Sequence, residues 1–370
     1  MERGFVAEID LRAVSANFRV IRRMTAGRPV IAVVKADAYG HGAVEVSKRL
    51  AGDGAEYIAV AFMDEAAELR RAGINLPIIV LFDSDVHHAF EYNVTPVVAS
   101  LKAAADLSRE AERLDRPIKI HIKVDTGMGR LGFREPVQRD IIEIAGMKGI
   151  IIEGIMSHFA EADLSDRSSA YLQIDTFIRL RDELAASGLF IPLYHLANSA
   201  GVMGLPESHF DAVRPGIMLY GYSPFISDDR GMPELIPVMR VKARMVSVRR
   251  LPAGVPISYG STFVTARDSL IGVMAAGYAD GFSRLFSNNA SVLVRGKRAP
   301  VVGRVCMDVT MIDVTDIEGV SETDDVIIIG SQGCEKISAA ELARWSCTIP
   351  YEVMLSLGNR ARRVYIERQP

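Results

Sequence analysis

Short apolar runs of strand length recur through the first two-thirds of the chain, alternating with segments of helical periodicity. The runs are Val30–Val34, Tyr57–Ala61, Ile78–Phe82, Thr95–Ala99, Ile118–Val124, Ile150–Phe159, Leu193–Asn198 and Asp211–Gly216. Between them lie GAVEVSKRLAGDG, DEAAELRRAG, SLKAAADLSREAERL and SSAYLQIDTFIRLRDELAASG, and several such segments stop at a glycine, a helix-ending signal. Strands that stay apolar at nearly every position are buried on both faces, as in a parallel sheet covered by helices. Eight such units predict a closed (β/α)8 barrel of the TIM type over residues 10–232. An open, doubly wound sheet is the competing arrangement of the same pattern.

After Met232 the texture changes. VMRVKARMVSVRRL, PISYGSTFV, SLIGVMAAG, ASVLVRG, RAPVVGRVCMDVTMIDV and DVIIIG are rich in Val, Ile and Thr and are broken by Gly, Pro and Asp turns. Residues 233–370 therefore read as a mainly β domain with one clear helix, SAAELARWSCT. The strand-like FVAEIDL precedes the first barrel helix, so residues 1–9 are expected to join that second domain.

Charge and cysteine content narrow the partners. With 43 basic and 46 acidic residues and no Lys/Arg block, nucleic acid and anionic membranes are not expected partners. Cys306, Cys334 and Cys347 form no C-x-x-C pair and suit a reducing compartment. The N-terminus lacks an apolar signal core and no run reaches the length of a membrane span, which predicts a cytoplasmic protein. The histidines show no metal-ligand spacing, so no metal site is expected.

In a parallel barrel, function gathers where strands end at their C-terminal side. Strand one runs into Lys35, strand five into Asp125 and the loop beyond it, and strand six ends at Ser157 and His158. Strand seven ends at His195, Asn198 and Ser199, and strand eight at Arg214, Pro215 and Gly216. Any one of these also reads as an ordinary strand end, but five polar rims coincide. Lys35 at an apolar barrel mouth is the sharpest: desolvation disfavours the ammonium, and a neutral amine is a nucleophile toward an aldehyde. A Schiff base with pyridoxal 5′-phosphate needs a phosphate cradle, which ANSAG and RPGIMLYG at strands seven and eight can supply. It also needs a partner for the pyridine nitrogen, and Arg214 would donate to it without protonating it.

KVDTGMGRLG carries a G-x-G-x-x-G spacing at Gly127, Gly129 and Gly132. A dinucleotide site needs that turn to enter a helix at once, usually after the first strand. Here Phe133, Arg134, Glu135 and Pro136 intervene, with Pro136 the expected first helical residue, and the strand is the fifth. The alternative is a loop that presents Arg130, whose guanidinium fork suits a substrate carboxylate.

VVKADAYGHG, KVDTGMGRLG, MSHFAEAD, HLANSAG, VRPGIMLYG, ISYGSTF, AAGYADGFSR, GRVCMDVTMIDV and TIPYEV resemble, in order, the successive blocks of bacterial alanine racemases. The resemblance spans nearly the whole chain. It implies a pyridoxal-phosphate-dependent isomerase that interconverts L- and D-alanine, supplies D-alanine for peptidoglycan, and works as a homodimer with shared active sites. Lys35 would hold the cofactor and act as one acid–base group, with Tyr259 of the partner subunit as the other. Tyr39, Ser199, Gly216, Ile217 and Tyr351 would contact the phosphate, and Arg214 the ring nitrogen. His158 would link Tyr259 and Arg214, and His195 would support that cluster. Arg130, with the backbone at Met307 of the partner subunit, would hold the substrate carboxylate. Lys123, often carbamylated in the family, would brace Arg130, and Tyr278 would line the entrance.

Overall fold

The structure is a computed structural model that describes residues 4–225 and 233–367. The boundary expected at residue 232, and residues 1–3, lie outside the described residues. By its contacts the chain divides into two compact units. One comprises Ala13–Ala38 and Ala43–Ile236, the other the N-terminal residues through Arg12, Tyr39–Gly42 and Pro237 onward.

Strand β1 (Val6–Asp10) precedes the first helix, Leu11–Met24. Seven parallel strands then follow in spatial order as in sequence: β2 (Ile31–Val33), β3 (Tyr57–Val60), β4 (Ile78–Val80), β5 (Thr95–Val98), β6 (Ile118–Lys123), β7 (Ile150–Met156) and β8 (Leu193–His195). Their apolar side chains are buried almost without exception up to β6, because helices cover the outside and side chains fill the inside.

The eighth run is not a regular strand. Val213 forms a single parallel bridge to Val30. Still, the segment closes the ring: Asp211 N donates to Tyr194 O (3.0 Å) and Arg214 N to Ala197 O (2.8 Å) on the β8 side. On the β2 side, Val213 O accepts from Ile31 N (2.8 Å) and Pro215 O from Val33 N (3.1 Å). Pro215 has no N–H to give, so an unbroken ladder is impossible there. The sheet is therefore a barrel rather than an open doubly wound sheet.

The barrel helices fall where the apolar periodicity places them, including Ala43–Gly52, Met63–Arg71, Leu101–Leu114 and Ser168–Ala186. The glycines that follow three of them, Gly54, Gly73 and Gly188, take positive φ. Pro136 proves to be the N-cap of Val137–Ala145 rather than its first residue. Among the described residues no helix is long and apolar enough to cross a membrane.

The second unit is mainly β. Its strands are β9 (Met239–Leu251), β10 (Pro256–Ile257), β11 (Phe263–Val264), β12 (Ser269–Met274), β13 (Ser291–Val294), β14 (Lys297–Pro300), β15 (Thr310–Asp313), β16 (Asp325–Gln332), β17 (Glu335–Ile337) and β18 (Arg362–Ile366). The long β9 organises the sheet, pairing antiparallel with β1, β12 and β16. β1 also pairs in parallel with β18, so the N-terminal strand sits inside this sheet. The expected helix forms over Ala339–Trp345; a second one, Pro350–Arg360, begins at a proline that the TIPYEV block did not announce as a helix start.

Candidate active site

Lys35 follows β2 after a single residue, Val34, and the chain then takes a rare path. Ala36, Asp37, Ala38 and Tyr39 all adopt left-handed dihedrals, with φ between +51° and +55°. Each non-glycine residue in that region costs about 1–2 kcal/mol. Side-chain contacts hold the turn: Glu65 accepts from Ala36 N, and Asp37 Oδ1 accepts from Ala43 N (2.7 Å). Glu65 also accepts from Ala61 N and Phe62 N, which ties the loop after β2 to the loop after β3.

At this rim the aromatic ring of Phe82, just past β4, faces three cations. Lys123 Nζ lies 4.9 Å from its centroid, Arg130 Cζ 5.3 Å and Lys35 Nζ 5.4 Å. Burial, then Arg130, lower the Lys35 pKa, with Glu65 opposing them. Burial, then Arg130, Arg214 and Lys35, pull Lys123 down to about 8. Neither amine, nor Arg130, has a hydrogen-bonded carboxylate among the described residues. An unmodified Lys123 ammonium repels Arg130; a brace between the two needs a negative charge on Lys123.

Arg130 sits on a loop shaped by its neighbours. Asp125 accepts from Gly127 N (3.1 Å), Gly129 N (3.0 Å) and Arg134 Nε (2.9 Å). Gly132 has φ +135°, and a side chain there would lie 2.7 Å from Asp125 N. The next helix starts only at Val137. The glycine spacing thus serves a carboxylate-stapled loop and not a helix-entering dinucleotide turn.

Beneath the cations lies Arg214, almost fully buried. Nη1 donates to His195 Nδ1 (2.7 Å) and His195 O (2.6 Å); Nη2 donates to Ser157 O (2.5 Å) and Leu196 O (3.1 Å), with His158 Nδ1 at 3.5 Å. Nε keeps a donor with no partner among the described residues. Burial, then Arg130, push the Arg214 pKa down to about 9, which leaves the guanidinium charged at neutral pH. Burial, then Arg214, drive both His158 and His195 well below the ordinary histidine range, so both imidazoles are neutral. Alongside, Ser199 Oγ accepts from Gly216 N (2.9 Å) and Met218 N (3.4 Å), bringing Ser199, Gly216 and Ile217 together.

The β unit groups the remaining residues. Tyr39 and Tyr351 pack with ring centroids 5.7 Å apart, and burial followed by Tyr351 raises the Tyr39 pKa. Tyr259 and Met307 line a groove of about 670 Å³ together with Ile257, Cys306 and Asp308. Both are open to solvent, at 70% and 54% exposure. Tyr278 lies beside them, its N–H donating to Cys306 O (3.0 Å).

Four residues of the barrel escaped the rim-by-rim reading: the aromatic Phe82 and the polar Glu65, His121 and Glu153. His121 had a signal. Lys119, His121 and Lys123 alternate along IKIHIKV, and alternate residues share one face of a strand. Phe82 had none, since an aromatic at the end of an apolar run reads as core.

A closed parallel barrel with desolvated amines, a buried Arg214 and an exposed Arg130 at its C-terminal mouth, on a chain that continues into a β unit, defines a two-unit barrel enzyme. Residues 9–224 match the family described as Alanine racemase, N-terminal domain, and residues 238–365 match Alanine racemase, C-terminal domain. An alanine racemase of Thermodesulfovibrio yellowstonii is 50% identical over 370 residues, covering 99% of each chain. The crystal structure of alanine racemase from Bacillus anthracis with bound L-Ala-P superposes with a TM-score of 0.91 at 36% identity, covering 99% of this chain and 96% of that one. The enzyme from Bartonella henselae with covalently bound pyridoxal phosphate gives 0.88 at 31%, covering 98% and 99%. The chain belongs to the alanine racemase family, a family of isomerases.

Proposed function

We propose that this protein racemises alanine with pyridoxal 5′-phosphate, using Lys35 and Tyr259 of the partner subunit as two acid–base groups. The observation that carries this reading is the Lys35 amine. It is desolvated, lies against Phe82 and has no hydrogen-bonded carboxylate among the described residues, at a barrel mouth where it and Arg214 both act on His158. The barrel's donor set fits the cofactor: an amine for its aldehyde, Arg214 for its ring nitrogen, and Ser199, Gly216 and Ile217 for its phosphate, to which the family resemblance adds Tyr39 and Tyr351. When bound, the cofactor withdraws electrons from the substrate Cα and so acidifies its proton.

The protein's own groups then decide the outcome. Racemisation takes a proton from one face of Cα and returns one to the other, so two bases on opposite sides are needed. Positioned general acid–base groups contribute roughly 10²–10⁴-fold. Lys35 takes one side. Tyr259 of the partner subunit takes the other, a reading supported by its exposure, and that of Met307, in an open groove. A homodimer in which each β unit covers the partner's barrel mouth gives both residues a role. Arg130, with no carboxylate partner among the described residues, holds the substrate carboxylate. Carbamylation of Lys123 would turn its repulsion of Arg130 into attraction, and an amine pulled down to about 8 is neutral often enough to react. His158 and His195 orient Arg214, and Tyr278 flanks the entrance. The expected setting is the cytoplasm, and the expected use of D-alanine is peptidoglycan.

The test is turnover. Single-enantiomer amino acids, incubated with the protein with and without added pyridoxal phosphate, are followed by chiral chromatography. Equilibration of L- and D-alanine is the expected result. Cofactor absorbance without any equilibration would make the protein a cofactor carrier instead.

A further inference from the structure

Behind Arg214 a line of buried polar groups leaves the active site and runs down the barrel interior. His195 is the last residue of β8, His121 lies in the middle of β6, and Glu153 in the middle of β7. Arg214 Nη1 is 2.7 Å from His195 Nδ1, and His195 Nε2 is 2.7 Å from His121 Nδ1. His121 Nε2 faces Glu153 Oε2 at 3.5 Å. Both of those last atoms are buried and neither makes a hydrogen bond among the described residues, so the ring and the carboxylate face each other as an electrostatic contact. The other carboxylate oxygen of Glu153 pairs with Lys119 Nζ at 2.6 Å, toward solvent.

This arrangement fixes every proton in the chain. A guanidinium can only donate, so His195 Nδ1 accepts. His195 is neutral, so its one proton sits on Nε2 and is donated to His121 Nδ1. Burial also keeps His121 neutral, with Glu153 opposing. Its proton therefore sits on Nε2, aimed at the carboxylate. A cation at one end and an anion at the other select the same tautomer at both imidazoles. Chains of this kind polarise each bond in turn. The backbone makes room for it: β7 lies between β6 and β8, and a side chain on Gly154 would come within 2.8 Å of the His121 ring. The two rings meet edge-on over that gap, 4.8 Å between centroids.

We propose that Glu153 is a positioning residue for Arg214, acting through His121 and His195 to hold the guanidinium's acceptor in one tautomer. Without the carboxylate, His121 loses its reason to keep the proton on Nε2. His195 can then present an N–H to Arg214, and the guanidinium loses its bond to Nδ1. Lys119 acts in the opposite sense, because it draws on the same carboxylate.

The consequence for racemisation rests on the proposed function, but the tautomers do not. The full chain, labelled with ¹⁵N-histidine, is read by NMR as purified and again after loading with pyridoxal phosphate. The expected wild-type result is an unprotonated Nδ1 and a protonated Nε2 at both His121 and His195. Glu153→Gln keeps the shape and removes the charge; His121 should become a tautomer mixture and its Nε2 proton should move upfield. Lys119→Met, at an exposed position, should move that proton downfield and remains readable if Glu153→Gln does not fold. In the loaded enzyme Glu153→Gln should lower kcat for alanine about three- to tenfold with KM unchanged, the scale of a weakened charge-assisted bond. A protonated His195 Nδ1 in the wild type overturns the proposal, as do shifts of equal sign in the two variants or none. If wild-type protein neither captures pyridoxal phosphate nor racemises alanine, the proposed function fails while the NMR result still decides the chain.

Discussion

Lys123 Nζ sits 4.9 Å from the centre of the Phe82 ring, on a ring that also faces Lys35 and Arg130. An aromatic face attracts each cation by roughly 0.5–2 kcal/mol and offsets part of their mutual repulsion. Phe82→Leu keeps an apolar side chain and removes the quadrupole. Arg130 should then hold the substrate carboxylate less well, raising KM for alanine by about three- to tenfold. Steady-state kinetics check this, and an unchanged KM would leave the ring a packing role only.

Lys35→Ala should abolish the borohydride-sensitive visible absorbance of protein loaded with pyridoxal phosphate. A spectrum like that of the wild type would place the covalent link on another residue.

Tyr259→Phe should keep that absorbance, since the phenol does not hold the cofactor, yet lose most racemisation. The loss should fall chiefly on proton abstraction from one enantiomer, read by solvent-deuterium incorporation from L- and from D-alanine separately. Residual rates near wild type for both enantiomers would remove the tyrosine from the mechanism.

Cofactor capture should depend on pH through Lys35. Only the neutral amine attacks an aldehyde, so capture by cofactor-free protein should speed up as pH rises through the Lys35 pKa. Burial and Arg130 lower that pKa, so the rise should begin below the range of an exposed lysine, about 10.4. Arg130→Met removes a cation that lowers it and should move the profile to higher pH. Stopped-flow absorbance between neutral and alkaline pH tests both statements, and a profile centred on the exposed-lysine value would refute the first.

Ala36 carries a left-handed φ of +51°. In an ordinary helix Ala→Gly costs about 1 kcal/mol. Here glycine relieves a steric cost, so Ala36→Gly should stabilise the cofactor-free protein by about 0.5–1 kcal/mol in urea denaturation. A loss of the usual helical size would mean that the turn carries no strain.

The primary sequence already contained the barrel, because burial on both faces leaves a readable mark: strands apolar at nearly every position, spaced by amphipathic helices. It contained the change to β texture after the barrel and the coincidence of Lys35, His158, His195 and Arg214 with strand ends. Tyr259, Tyr351 and Met307 were legible only through resemblance, since an aromatic or a methionine in a β-rich stretch carries no local mark of chemistry. Tertiary structure alone decided three things. The eighth strand became a bridged segment, because Pro215 cannot donate to a ladder. The glycines of KVDTGMGRLG became the frame of an Asp125-stapled loop, because the helix begins too late for a dinucleotide turn. Phe82, His121 and Glu153 became part of the site's surroundings, because barrel closure sets side chains from separate strands a few ångströms apart. Periodicity reports which face of a strand is buried; only the curvature of the closed sheet determines what that face meets.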